Sequence, residues 1–389
     1  MTNVAVAPSL LASISTPAAV IDVACMARNI DRMQSRMNAL GARFRPHVKT
    51  SKCVDVVRRQ MQAGATGITV STLKEAEQFF AAGIPDIFYA VGMAPNKLAQ
   101  AAALIGAGCR LCILVDNLAA AQAVSAYALA HGVAFDVRIE IDTDGHRSGI
   151  KPEAAELVDV AHALTGTVEA GGATLAGVMT HAGASYDFHD ALSLQRIAEQ
   201  ERAGCVRAAT RLREAGFACP EVSVGSTPTA LSAQSLDGVT EVRAGVYVFF
   251  DLVMVNIGVC AMKDIAMSVL TTVIGHQRDK GWVIVDAGWM AMSRDRGTQK
   301  QAVDFGYGQV CDVAGQPIAG CTVVSANQEH GIVELSDVDA TQSIEARFPV
   351  GMQLRIFPNH ACATAAQFPA YAALGGDGSL SAWPRFYGW

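Results

Sequence analysis

Apolar and polar positions follow two rhythms along the first two-thirds of the chain. Short apolar, extended runs recur at 43–48, 67–70, 87–91, 110–115, 135–141, 175–180, 221–224 and 242–248. Between them, apolar residues spaced three to four apart predict helices over 74–82, 117–131, 153–164 and 192–215. Ahead of the first run, 16–21 reads as a strand, and Asp22 as the cap of a helix over 23–40. Strands alternating with helices over this length predict an α/β fold, a (β/α)8 TIM barrel over 23–257. After 257 the pattern changes. Runs at 268–274, 282–286, 310–312, 321–327, 331–335 and 353–357 read as short strands parted by Gly, Asn and Asp turns. No long helical pattern intervenes, so 258–389 reads as a second, mostly β domain.

Composition narrows the class. A chain of 389 residues, 51% hydrophobic, is long enough for a large domain and a smaller one. The net charge is −6 and no basic stripe is present, which argues against a nucleic-acid partner. The ten cysteines are scattered along the chain and read as reduced thiols, not as a disulfide framework. The apolar stretch 4–14 lacks a basic flank, so a signal peptide is not expected. No apolar run reaches the roughly 20 residues that span a bilayer. We expect a soluble, cytoplasmic protein with no membrane partner.

Reactive groups of a (β/α)8 barrel gather at the carboxyl ends of its strands, and the unusual residues here fall there. Lys49 follows the first run; Pro46 holds Arg45 extended, so Lys49 stands at a strand mouth just before a turn. Ser71 and Thr72 follow the second, Asp142 to Gly149 the fifth, and His181 to Tyr186 the sixth. Gly225-Ser226-Thr227 follows the seventh and suits a phosphate cup, because glycine admits close backbone approach while hydroxyls and N–H groups donate. Gly245 and Tyr247, in the eighth run, are positioned to add donors. Arg147 suits either a surface pair with Asp142 or Asp144, or a ligand contact. Far along the chain, His360 and Cys362 are two apart; in an extended segment they point the same way and present imidazole and thiolate to one metal. Such a pair leaves open coordination positions and favours Zn2+ over Mg2+ or Ca2+.

Arg45-Pro46-His47-Val48-Lys49-Thr50-Ser51-Lys52 resembles the segment that carries the pyridoxal-phosphate lysine in the D-serine dehydratase and D-threonine aldolase family, which has the alanine-racemase-like fold. Pro358-Asn359-His360-Ala361-Cys362 resembles the zinc pair of the D-serine dehydratase branch; the aldolase branch usually shows a carboxylate where Cys362 stands. The stretch 327–331 is similar to a family Asp/Gln-Glu-His-Gly segment that supports the metal. The resemblance runs from Thr16 to the C-terminus. It implies that Lys49 is the catalytic, cofactor-bearing lysine and that segment 1–22 joins the β domain. It implies that Gly225, Ser226, Thr227, Gly245 and Tyr247 hold the phosphate, that Arg147 or Tyr186 meets the pyridine nitrogen, and that His181 supports the ring. A divalent metal at His360 and Cys362 (Zn2+ first, Mn2+, Co2+ or Ni2+ otherwise) and a homodimer are implied as well, each barrel mouth facing the partner's β domain. The implied activity is removal of water from a D-configured 3-hydroxy amino acid, with release of ammonia. 3-Hydroxyaspartate would give oxaloacetate and serine would give pyruvate; the alternative is aldol cleavage to glycine and an aldehyde. A substrate β-carboxylate needs a cation, for which Arg294, Arg296 and Lys300 are candidates.

Overall fold

The computed structural model describes residues 10–166, 172–335 and 343–389, so the apolar stretch 4–14 lies partly outside the described residues. After β1 (Ala18–Asp22) come β2 (Arg43–Phe44), β3 (Ile68–Val70), β4 (Asp86–Gly92), β5 (Arg110–Val115), β6 (Asp136–Glu140), β7 (Thr174–Met179), β8 (Glu221–Val224) and β9 (Glu241–Val242). The strands β2 to β9 form one parallel sheet in the order β2-β9-β8-β7-β6-β5-β4-β3. A parallel bridge from His47 to Thr69 joins the two edge strands and closes the barrel.

The helices between the strands start where the sequence supplies acceptors. Thr72 accepts from Glu75 N–H, Asn117 from Ala120 N–H and Asp190 from Ser193 N–H, each satisfying a donor of a helical first turn. The expected last strand, 242–248, is cut to two residues paired with β8. On the β8 side the pairing stops at Val224, where the chain turns at Gly225; on the β2 side it runs on, with His47 N–H donating to Ala244 O at 2.8 Å, before the chain coils into a turn at Val246–Val248.

The barrel interior is polar where an apolar stack is the rule. The buried Glu241 accepts from Arg138 Nη1 at 2.6 Å, Arg45 Nε at 2.6 Å and Ser223 Oγ at 2.7 Å. Burial alone would raise its pKa, but the two guanidinium groups hold it well below the usual carboxylate range. A charge so placed is tolerable only because every member is paired.

The β strands that follow are β10 (Met267–Gln277), β11 (Trp282–Val285), β12 (Gly308–Cys311), β13 (Pro317–Ala326), β14 (Gly331–Leu335), β15 (Gln353–Pro358), β16 (Ala370–Leu374) and β17 (Leu380–Pro384). The sheet order is β11-β14-β13-β12-β15-β10-β1-β16-β17, and a further β10–β11 pairing closes its first six strands into a ring. Strand β1 lies between β10 and β16. The pair β16 and β17 is absent from the sequence reading. Its alanine-rich first strand has low β propensity, and the Gly375-Gly376-Asp377-Gly378 turn is the one local cue.

Contacts divide the chain into two compact units, Asp31–Gly245 with Phe386–Trp389, and Met1–Ile30 with Val246–Arg385. The sequence pattern places the boundaries at 22 and 257. Local bonds account for the difference: Asn29 Nδ2 donates to Asp264 O at 2.8 Å, Ala266 N–H to Phe249 O at 2.7 Å, and Val253 N–H to Asn359 O at 3.2 Å. No described helix is long and apolar enough to cross a membrane.

Candidate active site

Lys49 lies in the turn after β2, exposed, with no ion pair to any described residue. The turn is closed by Lys52 N–H donating to Val48 O at 2.8 Å. Lys52 is committed elsewhere: its Nζ lies 3.0 Å from Glu75 Oε1 and over the Trp389 ring. Of the two lysines in this segment, Lys49 is therefore the one without an ion pair among the described residues.

Two imidazoles share the surroundings of Lys49. His181, at the end of β7, donates from Nδ1 to Gly225 O at 3.0 Å, which leaves Nε2 as an acceptor. Burial, then the Lys49 charge, push its pKa down to about 3, with Arg243 and Arg147 adding to the shift. His47 is pushed well below the usual histidine value by burial and by Lys49, Arg243 and His181. Its Nδ1 is buried without a hydrogen-bond partner among the described residues. The buried Arg243 donates to Thr180 O at 2.7 Å and to Ser223 Oγ at 3.0 Å. The strand mouths thus gather cations around neutral rings, a setting suited to a phosphorylated, aromatic ligand.

The glycine turn has a steric reason. Gly225 has φ +131°, and a Cβ there would collide with Arg243 O; a Cβ at Gly245 would come within 2.9 Å of His47 O. Its donors are arranged differently from the expected cup. Gly225 N–H donates to Glu201 Oε1 at 3.0 Å, and Ser226 N–H to Thr229 Oγ1 at 3.0 Å, within a capping box. Thr227 follows, buried, at the first helical position. Tyr186 sits in the turn Gly183–Asp187, which is tied to the cup by Ser185 Oγ and Ser226 Oγ at 2.8 Å. Arg147 pairs with Glu140 at 3.3 Å rather than with Asp142 or Asp144, which are occupied by backbone N–H groups of 144–146 and 184. Tyr247 is fully buried and falls in the second unit. These barrel residues fit pyridoxal phosphate: an available amine, an orphaned imidazole nitrogen and a glycine-lined turn.

In the β unit, His360 and Cys362 meet, but not in an extended segment. Strand β15 ends at Pro358, His360 caps the helix Ala361–Ala365, and Cys362 lies in its first turn. The thiol still reaches the imidazole, because the cap residue is extended (φ −135°, ψ 107°). His360 Nδ1 is 2.7 Å from Asp295 Oδ2, the carboxylate–imidazole arrangement that orients a metal-binding histidine. Burial lowers the His360 pKa, but Cys362, Asp295 and Asp251 together raise it well above the ordinary value. The buried Asp251 accepts from Ala361 N–H at 2.9 Å, pinning the residue between the two expected ligands. Asn359 Nδ2 donates to Gly306 O at 2.7 Å. No described group of three or more His, Cys, Asp or Glu side chains is placed to hold a metal, so the pair would leave the other positions to water or substrate. Its N/S donors fit Zn2+.

Of the stretch 327–331, residues 327–330 are exposed and Gly331 is buried; Asn327 O and Gln328 O accept from the Trp289 and Met290 N–H groups. Asp295 and Asp251 are the carboxylates that meet His360 and Ala361; the sequence marks Asp251 only as the cap of the helix Leu252–Ile257, where it accepts from Met254 N–H at 3.0 Å. Of the loop cations, Arg296 pairs with Asp304 at 3.0 Å, Arg294 stacks on Trp289 at 4.1 Å and Lys300 is exposed.

Residues 21–253 match the family model of the alanine racemase N-terminal domain, and residues 266–374 that of a putative serine dehydratase domain. The class is an alanine-racemase-like barrel joined to a dehydratase-type β domain. Within it the chain belongs to the family of D-threo-3-hydroxyaspartate dehydratase, D-serine dehydratase and D-threonine aldolase. It is 63% identical to D-threo-3-hydroxyaspartate dehydratase of Delftia sp. (strain HT23), over 97% of this chain and 99% of that one. The solved structure of the Delftia enzyme has a TM-score of 0.94 at 62% identity, with the same coverage of each chain. A variant of that enzyme with one cysteine replaced by alanine is a metal-free form, and the histidine replaced in a second variant stands two positions before that cysteine. D-Threonine aldolase from Filomicrobium marinum is more distant, with 25% identity, a TM-score of 0.81 and 96% coverage of each chain.

Proposed function

We propose that this protein is a pyridoxal-phosphate- and divalent-metal-dependent lyase that removes water from D-threo-3-hydroxyaspartate and releases oxaloacetate and ammonia. The observation that carries this reading is the 63% identity to the Delftia enzyme across nearly the whole of both chains. The cysteine at position 362 supports it.

Bound pyridoxal phosphate supplies an electron sink for the carbanion left when the α-proton departs. The metal, Zn2+ in this reading, supplies a Lewis acid for the departing β-oxygen. Lys49 would hold the cofactor, and its Nζ is the base placed to take the α-proton. The turn at Gly225, Ser226 and Thr227, with Gly245 and Tyr247, holds the phosphate. Arg147 or Tyr186 meets the ring nitrogen. His181, kept neutral, offers the Nε2 lone pair as an acceptor beside Lys49. His360 and Cys362 hold the metal, with Asp295 fixing the imidazole. The enzyme is a cytoplasmic homodimer in this reading, on the strength of its composition and its family.

Product analysis tests the proposal. Purified enzyme supplied with D-threo-3-hydroxyaspartate, D-serine and D-threonine in turn should release ammonia fastest from the first, with oxaloacetate formed in equal amount. Glycine with an aldehyde in place of ammonia would assign the chain to aldol cleavage instead.

A further inference from the structure

Glu201 lies on the long helix Ala191–Glu214, is buried, and has no part in the roles above. Its Oε1 accepts from Ala182 N–H at 2.9 Å and from Gly225 N–H at 3.0 Å. Those two amides stand at the carboxyl ends of β7 and β8. Gly225 O in turn accepts from His181 Nδ1 at 3.0 Å. Because His181 precedes Ala182, the bonds close a ring: Glu201 to Ala182, along the chain to His181, across to Gly225, and back to Glu201. Burial raises the Glu201 pKa, against the opposing pull of the Thr229 hydroxyl, the two amides and the Arg243 charge, and no cation lies within ion-pair distance among the described residues. A buried carboxylate without an ion-pair partner is a costly way to satisfy two amides; its geometric merit is that one oxygen at the tip of a long side chain reaches both strand ends.

We propose that Glu201 is a positioning residue of the cofactor seat, tying the ends of β7 and β8 so that His181 Nε2 and the Gly225–Thr227 turn keep fixed places. The inference rests on the proposed pyridoxal-phosphate site. A carbonyl oxygen at the same reach does the same task, so the reach of the side chain matters and its charge does not.

Two variants separate these properties. Glu201→Gln keeps the reach and removes the charge; Glu201→Asp keeps the charge and shortens the reach by one methylene. Cofactor-free protein is titrated with pyridoxal phosphate, followed by absorbance, with thermal melting in parallel and borohydride trapping to locate the attachment. The Gln variant should bind within about threefold of wild type, and the Asp variant about tenfold or more weaker, since at least one buried amide loses its acceptor. Asp binding as tightly as wild type overturns the proposal, and so does Gln binding as weakly as Asp. Failure of the wild type itself to take up the cofactor at Lys49 would sink the functional reading as well as this inference; normal wild-type uptake with an unaffected Asp variant sinks this inference alone.

Discussion

Acidifying the cofactor-free protein should reveal the cost of keeping His181 neutral. Burial, reinforced by the Lys49 charge, sets its folded pKa at about 3, whereas a histidine in an unfolded chain titrates near 6.5. Between those values the unfolded state holds a proton that the folded state does not. Stability therefore rises with pH across that window, is fully present above the unfolded value, and is lost as pH falls towards the folded one. The slope is about 1.4 kcal/mol per pH unit, so lowering the pH from about 6.5 to about 5 removes about 2 kcal/mol through this residue alone. The assay is urea unfolding of wild type and His181→Asn at about pH 7.5 and about pH 5. An asparagine amide still offers a donor to Gly225 O, and the other titrating groups cancel between the two proteins. Wild type should lose about 2 kcal/mol more than the variant on acidification. Equal losses would refute the claim that the imidazole is held neutral beside Lys49.

The remaining predictions concern the metal pair and the lysine. Asp295→Asn should weaken metal binding about 10- to 100-fold by chelator competition; unchanged affinity would mean that the Asp295–His360 bond orients nothing. Cys362→Asp should move metal preference from Zn2+ towards harder ions such as Mn2+ and reduce ammonia release; bound metal and turnover both unchanged would make Cys362 a packing residue only. Borohydride should trap the cofactor on Lys49 in wild type and in Lys52→Ala, and on no lysine in Lys49→Ala. Trapping on Lys52 would show that its pairing with Glu75 does not exclude it.

The barrel was legible because alternation and helical spacing are local properties of side-chain order. Runs such as 110–115 and 221–224 coincide with β5 and β8, and the caps at Asp22 and Asn117 mark helix starts by their own chemistry. Lys49 and the glycine turn at 225 were legible for the same reason: each sits where a strand pattern stops. Other features depend on partners brought together by folding. The last barrel strand gives way to a turn at Val246–Val248, and the runs that read as apolar barrel strands carry Arg45, Arg138 and Arg243, which gather around Glu241 and Ser223 inside. The metal pair illustrates the division most sharply. His360 and Cys362 could be singled out by their spacing, though the helix that begins at Ala361 and not an extended run brings them together. Their supports could not be found that way. Asp295 stands 65 positions from His360 and Asp251 stands 110 from Ala361. Nothing local marks Asp295, and Asp251 is marked only as the cap of the helix Leu252–Ile257, because a hydrogen bond to a distant residue leaves no periodicity in the chain that makes it.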